Sequence, residues 1–176
     1  MTRYHPLLVA LHWVMALMIG LALAAGSLLL DALPNDDPQK VEGLAGHMTI
    51  GLSIGVLLIV RLLTRSLAAA PPHASTGNAL LDRIGVGTHW AFYLLIAGMV
   101  LSGLGIALST GLFPIVFGGE DGRLPDSIDT VAPRAVHGLL ATLLMSLITL
   151  HVLAAIYHMV VLKDGLLRRM WFGRRT

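Results

Sequence analysis

Four long apolar stretches separated by short polar segments dominate the hydrophobic pattern of this chain. They run over residues 7–30, 44 to about 63, 84 to about 110, and 135–162. The first, third and fourth contain no Asp, Glu, Lys or Arg, and the second contains only Arg61, near its end. A helix needs roughly 20 apolar residues to cross a bilayer, whereas a membrane β-barrel needs alternating segments of about ten. The pattern therefore predicts an all-α membrane protein, a bundle of four transmembrane helices.

Composition agrees with a membrane protein and narrows its chemistry. Of the 176 residues, 56% are hydrophobic and 12% charged, and none is cysteine. Disulfides and thiolate ligands are therefore excluded. No internal repeat or second domain is evident, so we expect one domain over residues 1–176. The first stretch is longer than the apolar core of a signal peptide, and we expect it to be retained.

Basic residues lie mostly on one side of the predicted bundle. Nine of the twelve fall at the N-terminus, between the second and third stretches, or in the C-terminal tail: Arg3, Arg61, Arg65, Arg83, Lys163, Arg168, Arg169, Arg174 and Arg175. The opposite side carries Lys40, Arg123 and Arg134 with eight acids, a net charge of minus five. The positive-inside rule then predicts that both termini are cytoplasmic. The pI near 9.4 reflects residues next to the bilayer, where anionic lipid attracts them, so we expect no nucleic-acid binding.

Six of the eight histidines lie in or at the edge of a predicted span: His12, His47, His89, His137, His151 and His158. An ionisable side chain within a membrane is costly and by default indicates a functional site. The ordinary alternative is a neutral imidazole that is hydrogen-bonded between helices. Several histidines at matched depths favour the functional interpretation. The other two, His5 and His73, have terminal or loop positions and are expected to be solvated.

Spacing and depth arrange these histidines into pairs. His137 and His151 are fourteen residues apart, which places them on nearly the same helix face, about 21 Å apart along the axis. His47 and His137 enter the bilayer at equal depth on the outer side, and His12 lies near the other side. Either His151 or His158 matches His12 in depth, and depth alone slightly prefers His158. Choosing His158 would separate two metal centres by about 31 Å. Electron tunnelling falls off steeply with distance, so the shorter spacing of His151 is favoured.

Two imidazole pairs in a four-helix bundle are typical of two stacked haems. Without cysteine the haems are not covalently attached, which predicts haem b. Two histidines on one iron leave no open coordination position, and this favours electron transfer over oxygen chemistry. Arg134, three residues before His137, is placed to pair with a haem propionate. Arg61 and Arg65 fit that role or that of topology anchors equally well.

His89 and His158 lie near Trp90 and Tyr157 on the predicted cytoplasmic side. An imidazole can both hydrogen-bond a quinone carbonyl and supply a proton, so these two histidines are candidates for a quinone site. The alternative is that they are interfacial polar residues within an aromatic belt.

Short motifs lie along almost the whole chain: Leu11-His12-Trp13, His47 with Arg61 and Arg65, Thr88-His89-Trp90 with Tyr93, the histidines at 137, 151 and 158, Leu162-Lys163-Asp164-Gly165, and Arg168-Arg169-Met170. In these motifs and their spacing the chain resembles the bacterial cytochrome b561 family. The resemblance implies a stand-alone, multi-pass protein of the bacterial inner membrane with two b haems that exchanges electrons with ubiquinone. It also implies that His12 and His151 hold one haem, that His47 and His137 hold the other, and that the quinone lies near His158.

The resemblance further implies activity as a superoxide oxidase, in which superoxide gives an electron at the periplasmic face and ubiquinone receives it. The net charge of minus five on that face should repel an anion. A local positive site around Arg134, with Lys40 or Arg123 beside it, would have to overcome this repulsion, and we assign Arg134 the catalytic role. The alternative is a membrane cytochrome b subunit that relays electrons between a partner dehydrogenase or hydrogenase and the quinone pool. A haem-free transporter that uses its histidines for protons is a third possibility.

Overall fold

The computed structural model of the protein describes residues 3–69, 71, 78–118 and 123–173. Its long helices are α1 (Pro6–Ala24), α2 (Pro38–Leu67), α3 (Ala79–Thr110) and α5 (Ala132–Tyr157), and the short α4 (Leu112–Phe117) follows α3. Wider π-helical turns continue α1 over Ala25–Leu30 and α5 over His158–Leu162. Tighter 3₁₀ turns form at Asp126–Asp129 and Leu166–Met170. The described residues contain no β-strand.

The predicted all-α architecture with four membrane-length helices is confirmed. The spans are Pro6–Leu30, Pro38–Leu67, Ala79–Thr110 and Ala132–Leu162, each with a mean hydropathy between 1.9 and 2.3 over its most apolar window. The second and third spans begin several residues before their apolar stretches. Asp37 accepts a hydrogen bond from the Gln39 N–H, and Asn78 accepts one from the Leu80 N–H, each at 2.9 Å. These side-chain caps start the helices within polar sequence.

Both ends of the chain meet at one end of the bundle, which we call the terminal end. The Tyr4 N–H donates to the Arg169 carbonyl at 3.2 Å, and the Trp13 indole N–H donates to the Met170 carbonyl at 2.9 Å. The opposite end, which carries α4 and the turn at Asp126–Asp129, is the distal end. Five residues assigned to loops or tails from the sequence lie outside the described residues: His73, Glu120, Asp121, Arg174 and Arg175.

Glycines bring α3 and α5 into close contact. A Cβ built at Gly98 would lie 3.0 Å from Leu140, and one at Gly105 would lie 3.3 Å from Pro133. The two pairs run in opposite directions along the helices, which are therefore antiparallel. Lipid tails are as apolar as leucine, so such close packing, rather than water exclusion, holds membrane helices together.

The middle of the bundle is filled by a cluster of buried side chains from all four long helices: Met15, Ile54, Leu58, Tyr93, Ile96 and Leu144. A second cluster packs at the distal end: Ile106, Ala107, Leu112, Leu124 and Ile128. Many large apolar side chains on the outer faces remain exposed, as expected of a surface that contacts lipid.

Leu144→Ala should destabilise the bundle, because Leu144 is only 2% exposed within the central cluster. We expect a loss of about 2 to 5 kcal/mol in the free energy of unfolding, the usual range for a buried leucine. Thermal or denaturant unfolding of the protein in detergent measures it. Leu150→Ala, at a position 63% exposed on the same helix, is the control. Equal effects of the two substitutions would contradict the central packing.

Candidate functional site

At the terminal end, α1 and α5 bring two histidines together. The ring centroids of His12 and His151 are 6.5 Å apart, with the ring planes at 64°. The ring of Phe92 lies 5.3 Å from His151, and the ring of His89 lies 6.2 Å from it. Three imidazoles and a phenyl ring therefore share this end of the bundle.

At the distal end, α2 and α5 bring together a second pair. The ring centroids of His47 and His137 are 6.2 Å apart, with the planes at 68°. Glycines back both rings, because a Cβ at Gly26 would lie 3.5 Å from His47 Cε1 and one at Gly103 would lie 3.3 Å from His137 Cε1. A Cβ at Gly103 would press on the imidazole, which would have to shift by a few tenths of an ångström.

A cavity of about 290 Å³ opens beside the distal pair and is lined by residues from α1 to α5. Most of its wall is apolar, and Gly51 and Gly138 are among the small residues there. The charged lining residues include Asp31, Lys40 and Arg134. An apolar cleft with a few charged groups suits a flat apolar cofactor with acidic substituents.

Both pairs have the ring separation that one shared metal requires. An imidazole nitrogen binds a metal at about 2 Å, so two rings on opposite sides of one ion have centroids about 6 Å apart. No group of three or more His, Asp or Glu side chains in the described ranges is arranged to hold a metal ion alone. Two axial histidines fit a haem, in which the macrocycle supplies the other four ligands. The residues present therefore fit the cofactor that the sequence predicts.

The charged side chains at the distal cavity form ion pairs and hydrogen bonds with neighbouring groups. Arg134, in the first turn of α5, donates to Asp31 Oδ1 at 2.6 Å and lies 3.9 Å from Asp129 Oδ1. The Lys40 ammonium donates to the Leu33 carbonyl at 2.7 Å. Asp31 and Asp129 were not predicted as part of the site, and the sequence offers no periodic signal that joins them to Arg134.

His158 is paired with an aspartate rather than with His12. Its Nδ1 lies 2.5 Å from Asp164 Oδ2, and the other carboxylate oxygen accepts from the Leu166 N–H at 2.9 Å. Lys163 and Gly165 flank this aspartate with φ of 51° and 72°, so the chain turns sharply there. The structure thus places His151, and not His158, beside His12.

The remaining predicted polar residues of the terminal end have local partners. His89 is exposed, and its Nδ1 lies 2.7 Å from the Gly85 carbonyl. The Arg61 guanidinium donates to the Leu8 carbonyl at 2.9 Å and so links α2 to α1. His5 is half-buried rather than fully solvated, and its Nδ1 accepts from the Leu7 N–H at the start of α1.

The C-terminal tail packs against the start of α1. The rings of Trp171 and Trp13 are 5.7 Å apart, and Arg3 donates to the carbonyls of Trp171 and Phe172 at 3.2 and 2.8 Å. A second cavity, of about 440 Å³, lies among these residues with Leu167 and Arg168.

Comparison with known proteins gives a consistent result over the whole chain. A family model described as prokaryotic cytochrome b561 matches residues 3–173. The chain is 30% identical over 179 residues to the "Probable superoxide oxidase CybB" of Yersinia pestis, which covers 98% of each protein. It is 29% identical over 176 residues to the "Cytochrome b561 homolog 2" of Escherichia coli (strain K12), with 96% of this chain and 90% of the relative covered. It is 28% identical over 175 residues to the "Cytochrome b562" of Cereibacter sphaeroides, with 95% and 94% covered.

Asp164→Asn should weaken the attachment of the tail in a pH-dependent way. Partial burial acts to raise the pKa of the Asp164 carboxyl, but hydrogen bonds from His158 and the Leu166 N–H outweigh it and lower that pKa below its ordinary value near 3.8. The stabilisation is therefore present above the unfolded pKa and is lost as pH falls through the folded pKa. We expect the free energy of unfolding at neutral pH to be lower than that of the wild type by less than about 1 kcal/mol, because the carboxylate is exposed. Thermal unfolding at neutral and acid pH measures it, and a deficit that persists in acid would contradict this origin.

Proposed function

The chain belongs to the prokaryotic cytochrome b561 family, and we propose that it is a di-haem oxidoreductase that takes electrons from superoxide and passes them to ubiquinone. Membership in the family implies a multi-pass bacterial membrane protein that binds haem b and transfers electrons. The number of haems, the donor and the acceptor are our proposal. The observation that supports it best is the pair of imidazoles at each end of the bundle, 6.5 and 6.2 Å between ring centroids.

His12 and His151 would hold the haem b at the terminal end, and His47 and His137 would hold the one at the distal end. One-electron transfer is the chemistry that haem b supplies when it is bound. With two histidines on each iron, no position would be left open for oxygen to coordinate. The central cluster, with Tyr93 and Leu144, fills the bundle between the pairs and excludes water from it.

The distal end is the proposed donor side, facing the periplasm under the predicted orientation. Two superoxide anions each give up one electron and become oxygen, and one ubiquinone accepts the two electrons with two protons. We assign Arg134 as the residue that attracts the anion, because it lies at the cavity that contains His47 and His137. The name of the Yersinia pestis relative, a probable superoxide oxidase, supports this choice of donor.

The terminal end is the proposed acceptor side. Asp164 accepts from Nδ1–H of His158, so Nε2 of the neutral imidazole can accept from a quinol hydroxyl, and it can donate to a quinone carbonyl only when the ring carries a second proton. The Gly85 carbonyl can only accept a hydrogen bond, so it selects the His89 tautomer with a proton on Nδ1. Both histidines are near the end of the bundle where protons enter from water, and an imidazole can pass a proton to the reduced quinone.

Replacing the proposed ligands one at a time should remove one haem each. We expect His12→Ala, His47→Ala, His137→Ala and His151→Ala to keep about half of the wild-type haem per protein, because the two sites lie at opposite ends of the bundle. His158→Ala should keep both haems and slow quinone reduction, because its partner is Asp164. Haem content by pyridine haemochrome, with visible spectra, measures this. Full haem content in His151→Ala and half content in His158→Ala would reverse the ligand assignment.

Stopped-flow reduction of the purified protein by a superoxide source, with and without ubiquinone, tests the donor and acceptor. We expect prompt haem reduction that Arg134→Ala slows and Asp31→Asn accelerates, each by up to about tenfold at low salt. Asp31 accepts the Arg134 hydrogen bond at 2.6 Å, so its substitution removes the nearer of the two carboxylates beside the cation, while Asp129 stays at 3.9 Å. Both effects should shrink as ionic strength rises. Arg123→Ala is the matched control, because Arg123 does not line the cavity.

The outcome also decides between the two candidate functions. A pigmented protein that superoxide does not reduce would exclude superoxide as donor while leaving the cytochrome intact. That result would favour the relay role, in which a partner dehydrogenase or hydrogenase supplies the electrons.

A further inference from the structure

A buried serine on α3 contacts one of the distal histidines. Ser102 is 8% exposed, and its Oγ lies 3.0 Å from Nδ1 of His137 on α5. The same oxygen lies 3.1 Å from the carbonyl of Met99, three residues earlier on its own helix. The hydroxyl therefore has two polar neighbours within a membrane span.

The single hydroxyl proton decides the direction of both hydrogen bonds. The Ser102 hydroxyl donates to the Met99 carbonyl, which can only accept and also lies within hydrogen-bond reach of the His137 ring. The lone pairs of Oγ are then left to accept from a protonated Nδ1 of His137. An imidazole protonated at Nδ1 keeps a free electron pair on Nε2, which is the form that binds a metal. If the Ser102 hydroxyl donated to Nδ1 instead, the ring proton would lie on Nε2 and would block metal binding there.

The next residue, Gly103, completes the contact between α3 and this imidazole. A Cβ there would lie 3.3 Å from His137 Cε1 and 3.6 Å from Nδ1. The Ser102 hydroxyl therefore accepts a hydrogen bond from the ring nitrogen. Gly103 has no side chain, so the ring can approach α3. His47 differs, because no serine or threonine hydroxyl among the described residues lies within hydrogen-bond distance of its Nδ1.

We propose that Ser102 is a positioning residue that holds His137 in its metal-binding tautomer and lowers the redox potential of the distal haem. This inference rests on the proposed function. A hydrogen bond accepted from Nδ1–H makes the opposite ring nitrogen a stronger donor to iron, which favours the ferric state. A lower potential at the distal end favours release of the electron towards the terminal pair. Since the bond acts on only one of the two distal imidazoles, it tunes this site without supplying a ligand.

Redox titration of Ser102→Ala tests the inference. The midpoint potential of the distal haem should rise by up to about 59 mV. For one electron, this shift corresponds to a tenfold change in the ferric-to-ferrous ratio. Binding of that haem should weaken by about tenfold or more, measured by transfer to apomyoglobin. Ser102→Thr keeps the hydroxyl and should restore both values. Thr110→Val is the matched control, because Thr110 is a buried hydroxyl of α3 that donates only to the Ile106 carbonyl.

The outcomes separate this inference from the proposed function. If Ser102→Ala leaves the distal potential and haem binding unchanged while His137→Ala removes a haem, the role of Ser102 is overturned and the ligand assignment stands. If His137→Ala keeps both haems, the proposed function fails first. A shift in Thr110→Val as large as that in Ser102→Ala would assign the effect to helix packing and overturn the inference. Haem loss in Ser102→Ala with retention in Ser102→Thr and Thr110→Val supports it.

Discussion

The close packing of α3 against α5 is the contact on which the geometry of both histidine pairs depends. Helix α5 carries His137 and His151, fourteen residues or about 21 Å apart on one face. Glycines of α3 at 98, 103 and 105 let this face approach within van der Waals distance of the neighbouring backbone. With α5 fixed in this way, α1 and α2 need to contribute only one histidine each, at opposite ends of the bundle.

The serine and threonine hydroxyls inside the spans are satisfied in two different ways. Most hydroxyls donate to a carbonyl four residues earlier on their own helix, as Thr49, Ser53, Thr142, Ser146 and Thr149 do. Those bonds offset the cost of a polar group in an apolar medium, and each lies within a single helix. Ser102 also contacts a side chain of another helix, so its position matters to the site as well as to its own helix.

The sequence predicts depth and helix face well, because both follow from a fixed rise and turn per residue. The four spans and the His12, His47, His137 and His151 positions at matched depths could therefore be predicted. Contacts between distant segments could not. The ion pair of Asp31 with Arg134 joins residues 103 positions apart, and no periodicity relates them. Depth also left His151 and His158 unresolved, and no sequence pattern indicated that the Asp164 carboxylate contacts His158.

The charge at the distal cavity does not conflict with an anionic group binding there. Arg134 and Asp31 have side chains 33% and 55% exposed, and an ion pair this open to water contributes only about 0–1 kcal/mol. An anion or a propionate can therefore take the place of Asp31 on the guanidinium at little energetic cost. The other acids of the distal loops act from further away, and at physiological salt their field is screened beyond about 8 Å. Within the cavity mouth, the nearest charges are thus those of Arg134, Lys40, Asp31 and Asp129, two of each sign. The orientation of Arg134, more than the net charge of the face, decides what the distal end attracts.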